Sequence, residues 1–416
     1  MSTPQTLSMR FGGSAPDRTT PEEMMARLSK FQPQQLPVIS LYLDARVNQH
    51  GKHAFAPFVR KRMTEIARTY APHSRERASF DEDFVRIERY LEDKAQTSTQ
   101  GIAIFACSAV NDFFDVGEFA APFEQNQIVV SNRPHLYPLA RMTDRYPRYA
   151  VVVSDTNRAH IFVFACGRRI DKRDVQNIDI KEPRDSGWQE SRFQNHVENF
   201  QLHHAKQVVE ALDRTVREDR IERIILAGDQ ETIVPLLRAQ MTRELADKIV
   251  DVMPLEVEAA EQKVLEESLN RIRRYDSLDE MQKIERLLNE YRADDLAVAG
   301  VASTLAALSN GQVQELLLTA RPADLSYDKS EVANVLRLYS TEPEPPTKLD
   351  HETIADELVR RAQEQSAATV TIIEDATRLN ELGGVGAILR YRVSSDQAAP
   401  YEDSSAATRA ESLVKA

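Results

Sequence analysis

The stretch RYAVVVSDTNRAHIFVFACGRR, residues 148–169, places two β-rich apolar runs on either side of Asp155-Thr156-Asn157. Apolar runs joined by a short Asp/Asn turn predict a β-hairpin. Beyond it, Phe193, Val197, Phe200, His204, Val208 and Ala211 recur at spacings of three and four, the stripe of an amphipathic helix. RIERIILAGD (220–229) then reads as a strand running into a glycine turn, a helix follows near 230–246, and VDVMPL (250–255) reads as a short strand. Alternation of strand and helix predicts βαβ units, hence an α/β protein with a largely parallel sheet covered on both faces. Between hairpin and helix lies a polar segment from Gly167 to about Glu190 containing Pro183, Asp185, Ser186 and Gly187. It is expected to be a projecting loop, neither helix interior nor strand.

Upstream, PVISLYLDA (37–45) and GIAIFACS (101–108) read as strands with helical sequence between them. That helical part carries Arg46, Lys52, Arg60, Lys61, Arg62, Arg68, Arg75 and Arg77 against only Glu65 and Glu76, a net of +6 in a chain of net charge -12. Two readings stand: cations displacing counterions from a phosphate backbone, or a solvated helix face. Downstream, residues 256–292 read as charged helix, with Tyr275-Asp276-Ser277 a break between domains. A helix (VASTLAALSNG), a strand (QVQELLLT), an irregular segment with the linker Glu342-Pro343-Glu344-Pro345-Pro346, a helix over 350–365, a strand over 368–373 and a closing strand GAILRYRV follow. Proline continues neither regular element. Residues 394–416 lack apolar periodicity and are expected to be a disordered tail.

The chain has 416 residues, 42% hydrophobic and 28% charged, a globular composition long enough for several cores. No apolar run approaches the ~20 residues of a bilayer span, and MSTPQTLSMRFGGSAPDRTTPEEMM lacks the features of a secretory signal. A cytoplasmic protein without membrane contact is therefore expected. The two cysteines, Cys107 and Cys166, each end an apolar run and read as core residues, with no disulfide or zinc framework. His196, His203 and His204 lack the spacing of a metal motif, so no metal is expected. Gly383-Gly384-Val385-Gly386 precedes a strand and reads as a tight turn. Ser186 and Ser191 have no nucleophile elbow around them. No cofactor is implied.

Three stretches, in order, resemble the archaeal/eukaryotic-type class-I peptide release factor superfamily, in the bacterial branch related to Pelota and the hibernation factor Balon. LNELGGVGAILRYRV (379–393) is similar to the family's closing strand, and AVAGVASTLAALSNGQVQELLLT (297–319) to the helix and strand opening its third domain. DSGWQESRFQNHVENFQLHHAKQVVEAL (185–212) falls where the family carries its Gly-Gly-Gln loop and the helix after it. The resemblance implies a three-domain architecture of mixed sheets covered by helices. Residues 1–145 would face the decoding centre, 146–275 would carry a tip loop at 167–190, and 276–393 would bind a partner. It also implies a ribosome as partner, at the A site, with contacts to ribosomal RNA and P-site tRNA and delivery by a translational GTPase such as elongation factor Tu. The basic island at 46–77 then becomes an RNA-contact candidate.

The family's chemistry needs a Gln presented by glycines, whose bare backbone approaches the ester of peptidyl-tRNA. Here the tip reads Ser186-Gly187-Trp188-Gln189. Counting back from Arg192-Phe193 without a gap puts Trp188 in the glutamine position, whereas a one-residue deletion restores Gln189 and leaves Trp188 in place of the second glycine. A Trp, Gln and Arg cluster suits stacking on a base and grasping phosphate, and Gln189 remains the catalytic candidate for peptidyl-tRNA hydrolysis. The family's stop-codon motifs have no match in the first domain. The expected function is A-site occupancy of stalled or idle ribosomes without stop-codon reading, in rescue or hibernation; the alternative is a peptidyl-tRNA hydrolase.

Overall fold

Thr20 opens the first helix with a capping box, its hydroxyl accepting the Glu23 N–H while the Glu23 carboxylate accepts the Thr20 N–H. This is a computed structural model, and it describes residues 20–32, 35–48, 53–93, 99–109, 112–176, 190–339, 349–364 and 368–392. The chain divides into two compact units, residues 1–282 with 355–364 and residues 283–354 with 365–416.

The first unit holds two sheets. Its first part runs α1 (Pro21–Leu28), β1 (Val38–Asp44), α2 (Ala56–Ala67), α3 (Arg75–Asp93), β2 (Gly101–Cys107), β3 (Phe113–Phe119), β4 (Gln127–Ser131) and α4 (Tyr137–Arg145). The strands pair antiparallel in the order β3-β2-β1-β4. Ile39, Leu41 and Leu43 on β1 alternate toward one core with Val59 and Met63 of α2 and Phe80 and Ile87 of α3. Ser40 and Tyr42 point to the opposite face and are equally buried. β3 and β4 were not expected from the sequence: these edge strands bury little, only Gly117 and Phe119 in β3 and Ile128 in β4.

The second part runs β5 (Tyr149–Ser154), β6 (Arg158–Ala165), β7 (Arg168–Gln176), α5 (Glu190–Glu218), β8 (Ile224–Gly228), α6 (Ile233–Gln240), α7 (Arg243–Asp247), β9 (Ile249–Met253) and α8 (Glu261–Arg292). The sheet order is β7-β6-β5-β8-β9. β5, β8 and β9 are parallel, while the β5–β6–β7 meander is antiparallel. The sheet is thus mixed rather than largely parallel. Ala150, Val152, Ile161 and Leu226 pack with α5 and α6, and Tyr149, Val151, Phe162 and Ile225 with Val264 and Ile272 of α8.

Three expectations need correction here. Residues 168–176, read as loop, form β7: RRIDKRDVQ is too charged to look like a strand, but its backbone pairs along all of β6. The helix expected over 230–246 is two, α6 and α7, divided at Met241-Thr242, where Thr242 caps the second. No helix break occurs at Tyr275-Asp276-Ser277, which lie inside α8.

The second unit contains β10 (Ala297–Ala299), α9 (Val301–Ser309), β11 (Val313–Thr319), α10 (Lys329–Leu338), β12 (Thr369–Ile373), α12 (Thr377–Asn380) and β13 (Val385–Leu389), with α11 (His351–Glu364) lying between α10 and β12 in the chain. Sheet order is β10-β13-β11-β12. α10 replaces part of the segment read as irregular; Asp328 caps it, accepting the N–H groups of Ser330 and Glu331. Gly383 and Gly384 take φ of +88° and +78°, the left-handed region that favours glycine, and form the expected turn. The closing strand stops at Leu389. The linker around Pro345 and the tail 394–416 lie outside the described residues.

Candidate functional site

The central sheet brings its chemistry to one end. Asp155 Oδ1 accepts the N–H groups of Asn157 and Arg158, both at 2.7 Å, which closes the β5–β6 turn. Register places Gln176, the last residue of β7, opposite Arg158 beside that turn. The chain therefore enters residues 177–189 at the end of the sheet where β5 and β8 finish, and resumes at Glu190 as α5. His204 of α5 is fully buried near the same turn, and burial pulls its imidazole pKa down, favouring the neutral form.

On the outer strands, His160 and Asp174 sit directly across from each other, with Nδ1 to Oδ1 at 2.6 Å, and Lys172 Nζ lies 3.2 Å from the same carboxylate oxygen. Partial burial alone would raise the Asp174 pKa. The hydrogen bonds from His160 and Lys172 hold it below the usual carboxylate range. A cleft of about 690 Å³ lies beyond the ends of β5, β8 and β9. Gly228 at the end of β8 has φ +151°, and a Cβ there would meet the Ser154 carbonyl oxygen at 2.3 Å. The cleft's charged lining residues are Asp155, Asp229, Glu256, Glu258 and Lys263, and Arg158 nearby is paired with Glu258 and Asp155, so it is net acidic and does not suit a polyanion. Asp229 is already engaged by the N–H groups of Glu231 and Thr232.

The basic island divides into two sets. Arg46 pairs with Asp44 at 2.6 Å, Arg62 with Glu65 at 2.8 Å, and Arg77 with Asp81 at 2.6 Å. Arg60 lies across Glu88 and Glu92 of α3, at 3.2 and 3.0 Å. Lys61, Arg68 and Arg75 are exposed and make no ion pair with any described residue. Lys61 and Arg68, seven residues apart on or just beyond α2, share one side of that helix. Lys52 lies outside the described residues, as do Ser186, Gly187, Trp188 and Gln189. Arg192 falls in the first turns of α5, among residues whose side chains are not described. Among the described residues no three potential metal ligands come together, and no helix is long and apolar enough to cross a membrane. Sequence reading missed the His160–Asp174 pair, since only strand register joins residues fourteen apart.

Residues 134–273 match the family described as bacterial archaeo-eukaryotic release factor family 10, and residues 277–393 match eRF1 domain 3. The chain is a bacterial release-factor-like protein of the archaeo-eukaryotic type. Among solved structures it is similar to Dom34 of S. cerevisiae, described as a translation termination-like factor involved in RNA quality control pathways and interacting with Hbs1. That match has 13% identity, 72% of this chain, 81% of that one and a TM-score of 0.39. The archaeal translation termination factor aRF1 matches at 15% identity over 89% and 98% of the two chains, with a TM-score of 0.25. Archaeal Pelota, in a model of ribosome-bound Pelota and ABCE1, matches at 13% over 90% and 95%, with a TM-score of 0.39. No curated protein matches.

Proposed function

We propose that this protein is a ribosome-binding translation factor that occupies the A site of stalled or idle ribosomes, in rescue or hibernation, without reading a stop codon. The observation that carries the proposal is the pair of family matches, which follow one another along residues 134–393 in the order of a release factor's central and third domains. On this reading residues 1–145 meet ribosomal RNA on the decoding side. The segment 177–189 reaches toward the peptidyl-transferase centre and the P-site tRNA, and the third domain, 276–393, meets a translational GTPase, elongation factor Tu being one candidate. Lys61, Arg68 and Arg75 are the described cations of the island best placed to take phosphates, because the others are neutralised within the protein.

Cosedimentation with ribosomes over a salt series tests this. If those three cations take three phosphates, the slope of log K against log salt is about -2 to -3 from them alone. Absence of binding at low salt removes the proposal.

The second reading is a peptidyl-tRNA hydrolase. The observation that favours it is that Gln189 immediately precedes the first residue of α5, at the end of the segment leaving the central sheet. Release of labelled peptide from stalled complexes is compared for the wild type and Gln189→Ala. Loss of release in the variant supports hydrolysis; no release from either protein leaves occupancy alone.

A further inference from the structure

One end of the first sheet opens into a small pocket. Register sets Val38, the first residue of β1, opposite Ser131, the last of β4. Against that end stands the connection from α2 to α3, and Gln35, Leu36, Tyr70, Glu76, Val130 and Asn132 are among the residues lining a pocket of about 170 Å³. Cofactor-sized sites run to ~300–1,000 Å³, so this one admits a single ring system rather than a whole cofactor.

Its walls offer what a nucleobase uses. Tyr70 is half-buried, and its ring rests on the buried Phe80 with centroids 5.7 Å apart, which makes it an anchored aromatic surface. Leu36 and Val130 add apolar sides. The exposed Gln35 amide makes no hydrogen bond with any described residue, and Asn132 uses only its oxygen, which accepts the Ser131 hydroxyl at 3.3 Å. A primary amide carries both donors and an acceptor, the groups that pair with the edge of an unpaired base. The carboxylate in the lining, Glu76, is occupied: hydrogen bonds from its own N–H and the Ser74 hydroxyl, with the Arg75 charge beside them, hold its pKa below the usual range.

Arg75 immediately precedes Glu76, and Arg68 stands two residues before Tyr70. Both are exposed and form no ion pair with any described residue. Uncompensated cations therefore flank the pocket, as the phosphates on either side of a base require, whereas the larger cleft of the central sheet is net acidic. The pocket lies wholly before residue 134, where the family matches begin.

We propose that this pocket takes one unpaired RNA base, laid against Tyr70 and hydrogen-bonded by Gln35 and Asn132, with Arg68 and Arg75 on its phosphates. The inference deepens the ribosomal reading above and takes from it only that the partner is RNA.

A short single-stranded RNA carrying one 2-aminopurine, whose fluorescence falls when the base stacks, tests it on the full chain. Wild-type protein should quench the probe. Tyr70→Leu, which keeps an apolar contact with Phe80, should abolish the quenching and weaken binding about 5- to 150-fold, the range of one lost stack. Arg68→Glu with Arg75→Glu should weaken binding while leaving the quenching at saturation intact. Should Tyr70→Leu fail to fold, Gln35→Ala with Asn132→Ala, both at exposed positions, must weaken binding in its place. The pocket is overturned if the wild type leaves the probe unquenched, if Tyr70→Leu quenches as the wild type does, or if the paired alanine variant binds unchanged. Cosedimentation keeps the two readings apart: a protein that sediments with ribosomes and does not quench the probe loses the pocket alone, and one that quenches without sedimenting loses the ribosomal reading alone.

Discussion

Helices α2 and α3 and the start of α4 both gather charge, but one gathers it at the surface and the other inside. Arg60 is 64% exposed over Glu88 and Glu92, whereas Asp356, Glu357, Arg360 and Arg361 make their contacts away from water. Exposed pairs contribute little and are screened by salt. They exchange readily for the phosphates of a nucleic acid. Buried pairs admit no substitute, because every remaining partner would be left without hydration. Charge count alone does not separate the two; depth does.

The largest expected effect breaks the buried side. Asp356→Ala leaves two helix N–H groups and His135 without their acceptor and should cost about 3–5 kcal/mol in urea unfolding of the first unit. The ionised carboxylate is favoured by His135 first, and then by the Leu136 N–H and Arg360, which hold its pKa below the ordinary range despite burial. A group depressed in this way contributes its stability above the unfolded-state value, and the contribution disappears as pH falls through the folded one.

Asp83 sharpens the comparison, because it lies on the buried side of α3, the helix whose surface carboxylates meet Arg60 and Arg77. It is fully buried, and both its oxygens accept the Ser108 N–H, at 2.8 and 3.0 Å. Burial pushes its carboxyl pKa up to about 6. The folded protein then holds more protons than the unfolded chain between about pH 4 and 6. Stability therefore falls as pH rises through that window, by about 3 kcal/mol at most. Asp83→Asn should flatten the profile, read as the urea midpoint against pH.

On the exposed side, reversing Lys61, Arg68 and Arg75 together should weaken ribosome cosedimentation about tenfold or more and make the salt slope shallower by about 2 to 3. Arg60→Glu should do less, since Arg60 is already neutralised by two carboxylates. The smallest effect belongs to Arg60→Ala, which should change stability by under about 1 kcal/mol in the same unfolding assay.

How much was legible beforehand follows from the range of the forces involved. The β5–β6 hairpin, the described part of the α5 stripe from Phe200 to Ala211, the β11 strand and the Gly383-Gly384 turn are set by neighbours a few residues apart, and they appear where the sequence places them. β7 was hidden because strand pairing depends on the partner's backbone and not on the apolar content of RRIDKRDVQ. α10 is short, and its local marks, the capping Asp328 and the buried Val332 and Leu336 four residues apart, were not read as a helix.

The amino-acid order by itself determined the class of protein, the sequence of strands and helices around 148–229 and the presence of a cationic stretch at 46–77. Tertiary structure decided which of those cations are neutralised, that His160 meets Asp174, and that Asp356 closes the start of α4 from 220 residues away. Local periodicity records what each segment can bury. Partners brought together by long-range packing leave no periodic trace, since their pairing is fixed only when the sheets and helices have taken their places.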